Sequence, residues 1–228
     1  MSRILAAVAC AALAAVASAE DEITFTFDDP ALGGEFQGNA GMPGSLTYDT
    51  AAVLDLVVDS SDQEFGGINI FQAQLEMDLA VGTPSSFGGI ISAPVTGSFT
   101  FTDLASGDVI LPATTTNAQI VNFNAAGSVI SSIDGQGTGL VFSAGPALVA
   151  VGIEELMALD AVFTLTDINV EEAAAIFSNI GGTSAQLNNF DANAAFTATA
   201  TGQVVPTPGA LALAGIGVLG AARRRRRA

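Results

Sequence analysis

The chain has 228 residues, half of them apolar, with 23 Asp and Glu against six Lys and Arg, no His and one Cys. Without His or Lys, and with a single Cys, serine–histidine, cysteine–histidine and Schiff-base chemistries lack their partners, and zinc or copper sites lack their usual ligands. All six basic residues, Arg3 and Arg223 to Arg227, lie near the ends, so the long stretch between them offers no cation to a phosphate and should repel nucleic acid.

Met1-Ser2-Arg3 makes a basic start, and Ile4 to Ala17 is apolar. Ala17-Ser18-Ala19 follows as an A-x-A site, with Glu20-Asp21-Glu22 directly behind it. This pattern predicts a secretory signal helix over 1–19, cut after Ala19. Cys10, the only cysteine, lies inside that helix as a small apolar residue. The exported chain would then contain no disulfide.

From 20 to 203 the composition is rich in Gly, Ala, Thr, Ser and Phe. Roughly 185 residues suffice for one domain with its own core. Ile23, Phe25 and Phe27 alternate with Thr24 and Thr26; Leu54, Leu56 and Val58 alternate with Asp55 and Asp59; Phe99 and Phe101 alternate with Ser98, Thr100 and Thr102. Similar runs occur at 45–49, 68–77, 108–111, 120–123, 129–133, 140–143, 148–152, 161–166 and 196–201. Period two with one apolar face marks half-buried antiparallel strands. About ten to twelve of them predict an all-β, antiparallel β-sandwich. Leu104-Ala105-Ser106-Gly107-Asp108 reads as a hairpin loop.

One short helix is expected in this ectodomain. Asn169 would be its N-cap, Glu171 and Glu172 would occupy its first turn, and Gly181-Gly182 would end it. Val170, Ala173, Ala174, Phe177 and Ile180 would form its buried stripe. An internal echo also suggests a duplication, 97–144 against 161–203. Phe99 to Asp103 recurs as Phe163 to Asp167, and Thr116 to Asn124 as Thr183 to Asp191, at offsets of 64 and 67. Phe123 and Phe190 would then be equivalent core residues, and Asn122 and Asn189 equivalent backbone partners.

Little in the ectodomain points to catalysis. Paired carboxylates are the remaining hydrolytic option, with Glu154 and Glu155, Glu171 and Glu172, or Asp28 and Asp29 as candidates. Ordinary solvated surface charge is the favoured reading of each pair. Calcium needs only oxygen ligands, and the turns Asp59 to Glu64, Asn188 to Asn193 and Asp134 to Gly139 could supply them, although none matches a known calcium loop. With no Trp and one Tyr, Tyr48, the chain lacks the flat aromatic platforms of a lectin.

The last 25 residues read as an address. Val204-Val205-Pro206-Thr207-Pro208-Gly209 leads into an apolar run ending at Ala222, and Arg223, Arg224, Arg225, Arg226 and Arg227 close it. As a helix, the 14 residues 209–222 span about 21 Å, short of a hydrocarbon core of roughly 30 Å. The arginines would stay cytoplasmic and place the ectodomain outside.

This layout resembles the PEP-CTERM sorting signal of Gram-negative bacteria. Pro206 and Pro208 match its two prolines, Gly209 the small residue after them and Arg223 to Arg227 its basic stop. Thr207 stands where the family has Glu. The resemblance covers about the last tenth of the chain. It implies processing by an exosortase, a membrane-embedded cysteine protease or transpeptidase, and company with exopolysaccharide. A plain C-terminal transmembrane anchor needs only the apolar run and the arginines. A Gram-positive sortase signal would need Leu-Pro-x-Thr-Gly, which is absent.

The expected protein is therefore an exported cell-surface or extracellular-matrix module, structural or adhesive, without catalysis, cofactor or nucleic-acid partner. It would sit on the membrane through its C-terminal helix before processing. The alternatives are a surface polysaccharide hydrolase using paired carboxylates and a calcium-stabilised adhesion module.

Overall fold

The computed structural model describes residues 22–28, 34–88, 90–122, 128–133, 139–170, 175–181 and 185–205. These form β1 (Glu22–Asp28), β2 (Phe36–Asn39), β3 (Gly44–Tyr48), β4 (Leu54–Asp59), β5 (Ile68–Val81), β6 (Ser85–Phe87), β7 (Ile90–Asp103), β8 (Val109–Asn122), β9 (Ser128–Ile133) and β10 (Val141–Phe142). One short helix, α1 (Pro146–Ala150), precedes β11 (Ile153–Val170), β12 (Phe177–Ser178), β13 (Gln186–Leu187) and β14 (Phe190–Val204). The fold is all-β and every ladder is antiparallel. No helix among the described residues is long and apolar enough to cross a membrane. The expected signal helix, 1–19, and transmembrane helix, 209–222, lie outside the described residues.

Ladders close a ring. From β1 it passes through β14, β11, β9, β8, β7, β5 and β4 and returns to β1. The two layers expected of a sandwich are thus joined by hydrogen bonds on both sides, so that every strand of the ring has a partner on each side. A second link, β2 with β3, also bridges β14 to β5. It holds the early part of β14 (Phe190–Ala192) and the late part of β5 (Leu79–Val81), whereas β1 and β4 hold the opposite halves.

Alternation explains the long strands. In β1 the pattern Ile-Thr-Phe-Thr-Phe puts Ile23, Phe25 and Phe27 inside and threonines on the other face. Inside, Phe27, Phe36, Phe99, Phe101, Phe163, Phe190 and Phe196 form one network of edge-on, tilted and stacked rings, the geometries that the ring quadrupole favours. Proline marks interruptions. The carbonyl of Pro94 in β7 accepts Gly82 N–H at 2.8 Å. Residue N–H and C=O groups share a side in an antiparallel strand, so the missing donor of Pro94 faces the break between β5 and β6, where none is needed.

The hairpin loop at 104–108 forms as expected between β7 and β8. Asp103 accepts Ser106 N–H at 2.9 Å and Ser106 Oγ–H at 2.6 Å, and Gly107 supplies the left-handed residue, φ 77°. The Ser106 hydroxyl is the main cause that holds the Asp103 carboxyl below its ordinary 3.8. A lowered value in the fold means the bond contributes fully above pH 3.8 and is lost as pH falls through the folded value. Asp103→Asn should therefore lose about 1–2 kcal/mol at neutral pH. In paired urea titrations the gap between wild type and variant should close below the ordinary aspartate range.

The structure corrects four expectations. No helix starts at Asn169. Asn169 and Val170 continue β11, pairing with Asp191 and Phe190, and the Asn169 amide donates to Asp191 Oδ1 at 3.1 Å instead of capping. Phe177 pairs with Leu187, and Ile180 lies in a turn; Glu171, Glu172, Ala173, Ala174 and Gly182 lie outside the described residues. The single described helix instead occupies 146–150, part of a segment expected as a strand. Pro146 suits its first turn, where N–H groups have no helical partner, and Gly152, φ 89°, follows it. Among the described residues fourteen strands replace the expected ten to twelve, because β2, β6, β12 and β13 are two to four residues long and too short to show alternation. Finally, the second pair of echoed blocks occupies different places, whereas the first pair, Phe99 to Asp103 and Phe163 to Asp167, lies on the long strands β7 and β11. Thr116 to Asn122 is the far end of β8, whereas Gln186 to Asp191 spans β13 and the start of β14. Asn122 is a buried strand end, Asn189 an exposed loop residue, and Phe123 lies outside the described residues.

Candidate functional site

Strand direction gives the barrel two poles. Glu22 pairs with Thr201, Thr24 with Asp59, Asp59 with Ile68, and Ile153 with Val204. The start of β1 and the end of β14 therefore share a pole with the 60–67 loop and α1. The β6–β7 tip, with Phe87 paired to Ile90, belongs to the opposite pole.

The chain leaves the first pole under tight control. Val205 N–H donates to Gly152 C=O at 2.7 Å. Gln63, only 8% exposed, accepts Val204 N–H at 2.8 Å and donates to Gly202 C=O at 3.3 Å. The loop that presents Gln63 closes through Ser60, whose Oγ donates to Gly67 C=O and accepts Gly67 N–H. A side chain at Gly66 would put Cβ 1.6 Å from Ser60 O, so glycine is required for this approach. Asp59 accepts Ser61 N–H at 2.9 Å, and Ser61 holds the Asp59 carboxyl below 3.8. The turn read as a calcium candidate thus spends Asp59, Ser60 and Gln63 on the protein itself.

The second candidate turn does likewise. Asn188 donates to Ala175 C=O at 2.7 Å, Asn189 accepts Ala40 N–H at 2.7 Å, Asp191 accepts from Asn169, and Asn193 donates to Asp167 at 3.1 Å. In the third, Asp134 to Thr138 lie outside the described residues. Among the described residues, no group of three or more His, Cys, Asp or Glu is placed to hold a metal.

Of the carboxylate pairs, Glu154 and Glu155 are both exposed on a bulged part of β11. Asp29, Glu171 and Glu172 lie outside the described residues. The structure brings a different pair together. β1 and β4 pair from Thr24–Asp59 to Thr26–Val57 and then separate. Two residues further the same register would set Asp28 opposite Asp55, and like charges directly opposite disfavour pairing. A groove of about 510 Å³ opens at this separation, lined by Thr26, Phe27, Asp28, Asp55, Val57, Ala195, Phe196 and Thr197. Phe27 and Phe196 are buried beneath it. Two carboxylates and two threonine hydroxyls can accept hydrogen bonds from hydroxylated ligands, but no side chain there carries positive charge. Asp55 was readable only as a strand-face acid; nothing in the sequence pairs it with Asp28.

The residues expected to carry targeting lie outside the described residues: Ala17 and Ala19 of the expected signal site, Pro206, Thr207, Pro208 and Gly209 of the tail motif, and Arg223 to Arg227. Compared with known protein families, curated proteins and solved structures, the chain matches none.

Proposed function

We propose that this chain is an exported cell-surface or extracellular-matrix protein without catalytic activity, delivered through its two terminal signals. The observation that carries this reading is the sequence of the tail: the Pro206-Thr207-Pro208-Gly209 motif, the apolar run to Ala222, then five arginines. The strand boundaries support it. β1 begins three residues after Ala19 and β14 ends two residues before Pro206, so removing both signals would leave every described strand intact. Exopolysaccharide is the proposed partner, on the resemblance of the tail; the acceptor-rich groove beside Asp28 and Asp55 suits sugar hydroxyls.

Intact-mass measurement of the surface fraction tests the reading. The expected species begins at Glu20 and lacks everything after about Pro208. A mass that retains Arg223 to Arg227 would leave a plain membrane anchor, and an unprocessed 228-residue chain in the cytosol would overturn the proposal.

A further inference from the structure

We propose that the pole from which the tail departs rests on the bilayer surface, with Phe65, Ile68 and Met157 entering a headgroup layer of neutral lipids. The inference depends on reading 209–222 as a membrane segment.

The geometry begins with distance. Val205 is tied to Gly152, and the apolar run begins at Gly209. Four residues reach at most about 14 Å, while each headgroup layer is roughly 5–8 Å thick. The pole therefore cannot stand far from the hydrocarbon. A span of about 21 Å in a core of roughly 30 Å also shortens the tether, because a short segment draws its flanks inward.

Apolar side chains are exposed at this pole, as Met42, Phe87 and Ile90 are at the other, from which no tail departs. Phe65 is 55% exposed, Ile68 62% and Met157 64%; Ile70, Leu104 and Val149 are exposed at the same end. Along the outward face of β5 the side chains change with distance from the pole. Ile68 and Ile70 come first, then Gln72 and Gln74, then Glu76 and Asp78. Water solvates the far half, and the near half carries an apolar face unsuited to it.

Charge selects the lipid. Asp62, Glu64, Glu154 and Glu155 are exposed at this pole, and no basic residue lies between Glu20 and Ala222 to balance them. An anionic bilayer should repel the pole, and a zwitterionic one should not.

The absence of Trp gives a background-free test. The exported chain, Glu20 to Ala228, carrying Phe65→Trp would be reconstituted with phosphatidylcholine–phosphatidylethanolamine vesicles, with Phe87→Trp, 92% exposed at the other pole, as its control. Flotation reports whether the chain is anchored. Emission wavelength and quenching by bromines on the upper acyl chain report whether the indole enters lipid. The expected result is a blue shift and quenching at position 65, neither at 87, with the shift at 65 reduced on phosphatidylglycerol-rich vesicles and restored by salt. Flotation with both indoles in water overturns the proposal and leaves the anchor standing. Failure to float overturns the anchor and the proposal together. A concentration-dependent shift at 65 without lipid assigns the patch to a second copy and also overturns it, as does a larger shift on anionic vesicles.

Discussion

Phe196→Ala is expected to destabilise the barrel by about 3–5 kcal/mol, the range for truncating a buried phenylalanine. Phe196 is 1% exposed, and its ring centroid lies 4.7 Å from Phe163, 5.2 Å from Phe101, 5.6 Å from Phe99 and 5.8 Å from Phe27. These four rings come from β11, β7 and β1, so one truncation opens a cavity shared by three strands of the ring besides its own. Each ring pair adds about 0.5–1.5 kcal/mol beyond burial. Other sources of stability cannot compensate. The only cysteine is Cys10, and the ectodomain sequence contains no cation for a side-chain ion pair. Phe196→Leu, which keeps most of the volume, should lose roughly half as much. Phe87→Ala, at an exposed tip, should stay within about 0.5 kcal/mol. Urea unfolding checks the series: the midpoint should fall for Phe196→Ala, with an unchanged slope if only native packing is lost.

The interior was legible because burial on one face imposes period two. Ile23, Phe25 and Phe27, or Phe99 and Phe101, could be assigned to a core from their spacing alone. Ring closure was not legible, because it depends on which strands pair. β5 meets β4 with one half and β3 with the other, and no local pattern announces that division. Asn169 shows a local signal overridden. Asn169 with Glu171 and Glu172 after it looks like a helix start, yet Ile168 and Val170 favour extended backbone and the ladder to β14 supplies partners for Asn169 and Val170. The site divides in the same way. The proposed terminal signals are linear patterns, legible without any fold. Gln63 and Asp55 acquire their meaning from residues far along the chain, Val204 and Asp28, and composition carries no trace of those meetings.

Charge sets the other large effect. Twenty-three acids lie between Glu20 and Ala222 with no basic residue, so residues 20–222 carry a formal side-chain charge of −23. Two exposed charges about 10 Å apart repel by roughly 0.4 kcal/mol in water, and many such pairs act at once when the Debye length is about 30 Å, near 0.01 M salt. Unfolding spreads the charges and relieves the repulsion. At about 1 M salt the Debye length falls to about 3 Å and most of the penalty disappears in the folded state as well. The melting temperature should therefore rise with sodium chloride, by on the order of 5 °C for every 2 kcal/mol of repulsion screened. Glu76→Lys separates screening from a general salt effect. Glu76 and Asp78 are exposed two residues apart on one face of β5, so a lysine at 76 replaces a repulsion with an attraction. It should raise the melting temperature most at low salt and reduce the rise on adding salt. Calorimetric scans of both proteins across ionic strength decide the matter: identical slopes for wild type and variant, or a wild type whose melting ignores salt, would show that self-repulsion does not limit this fold.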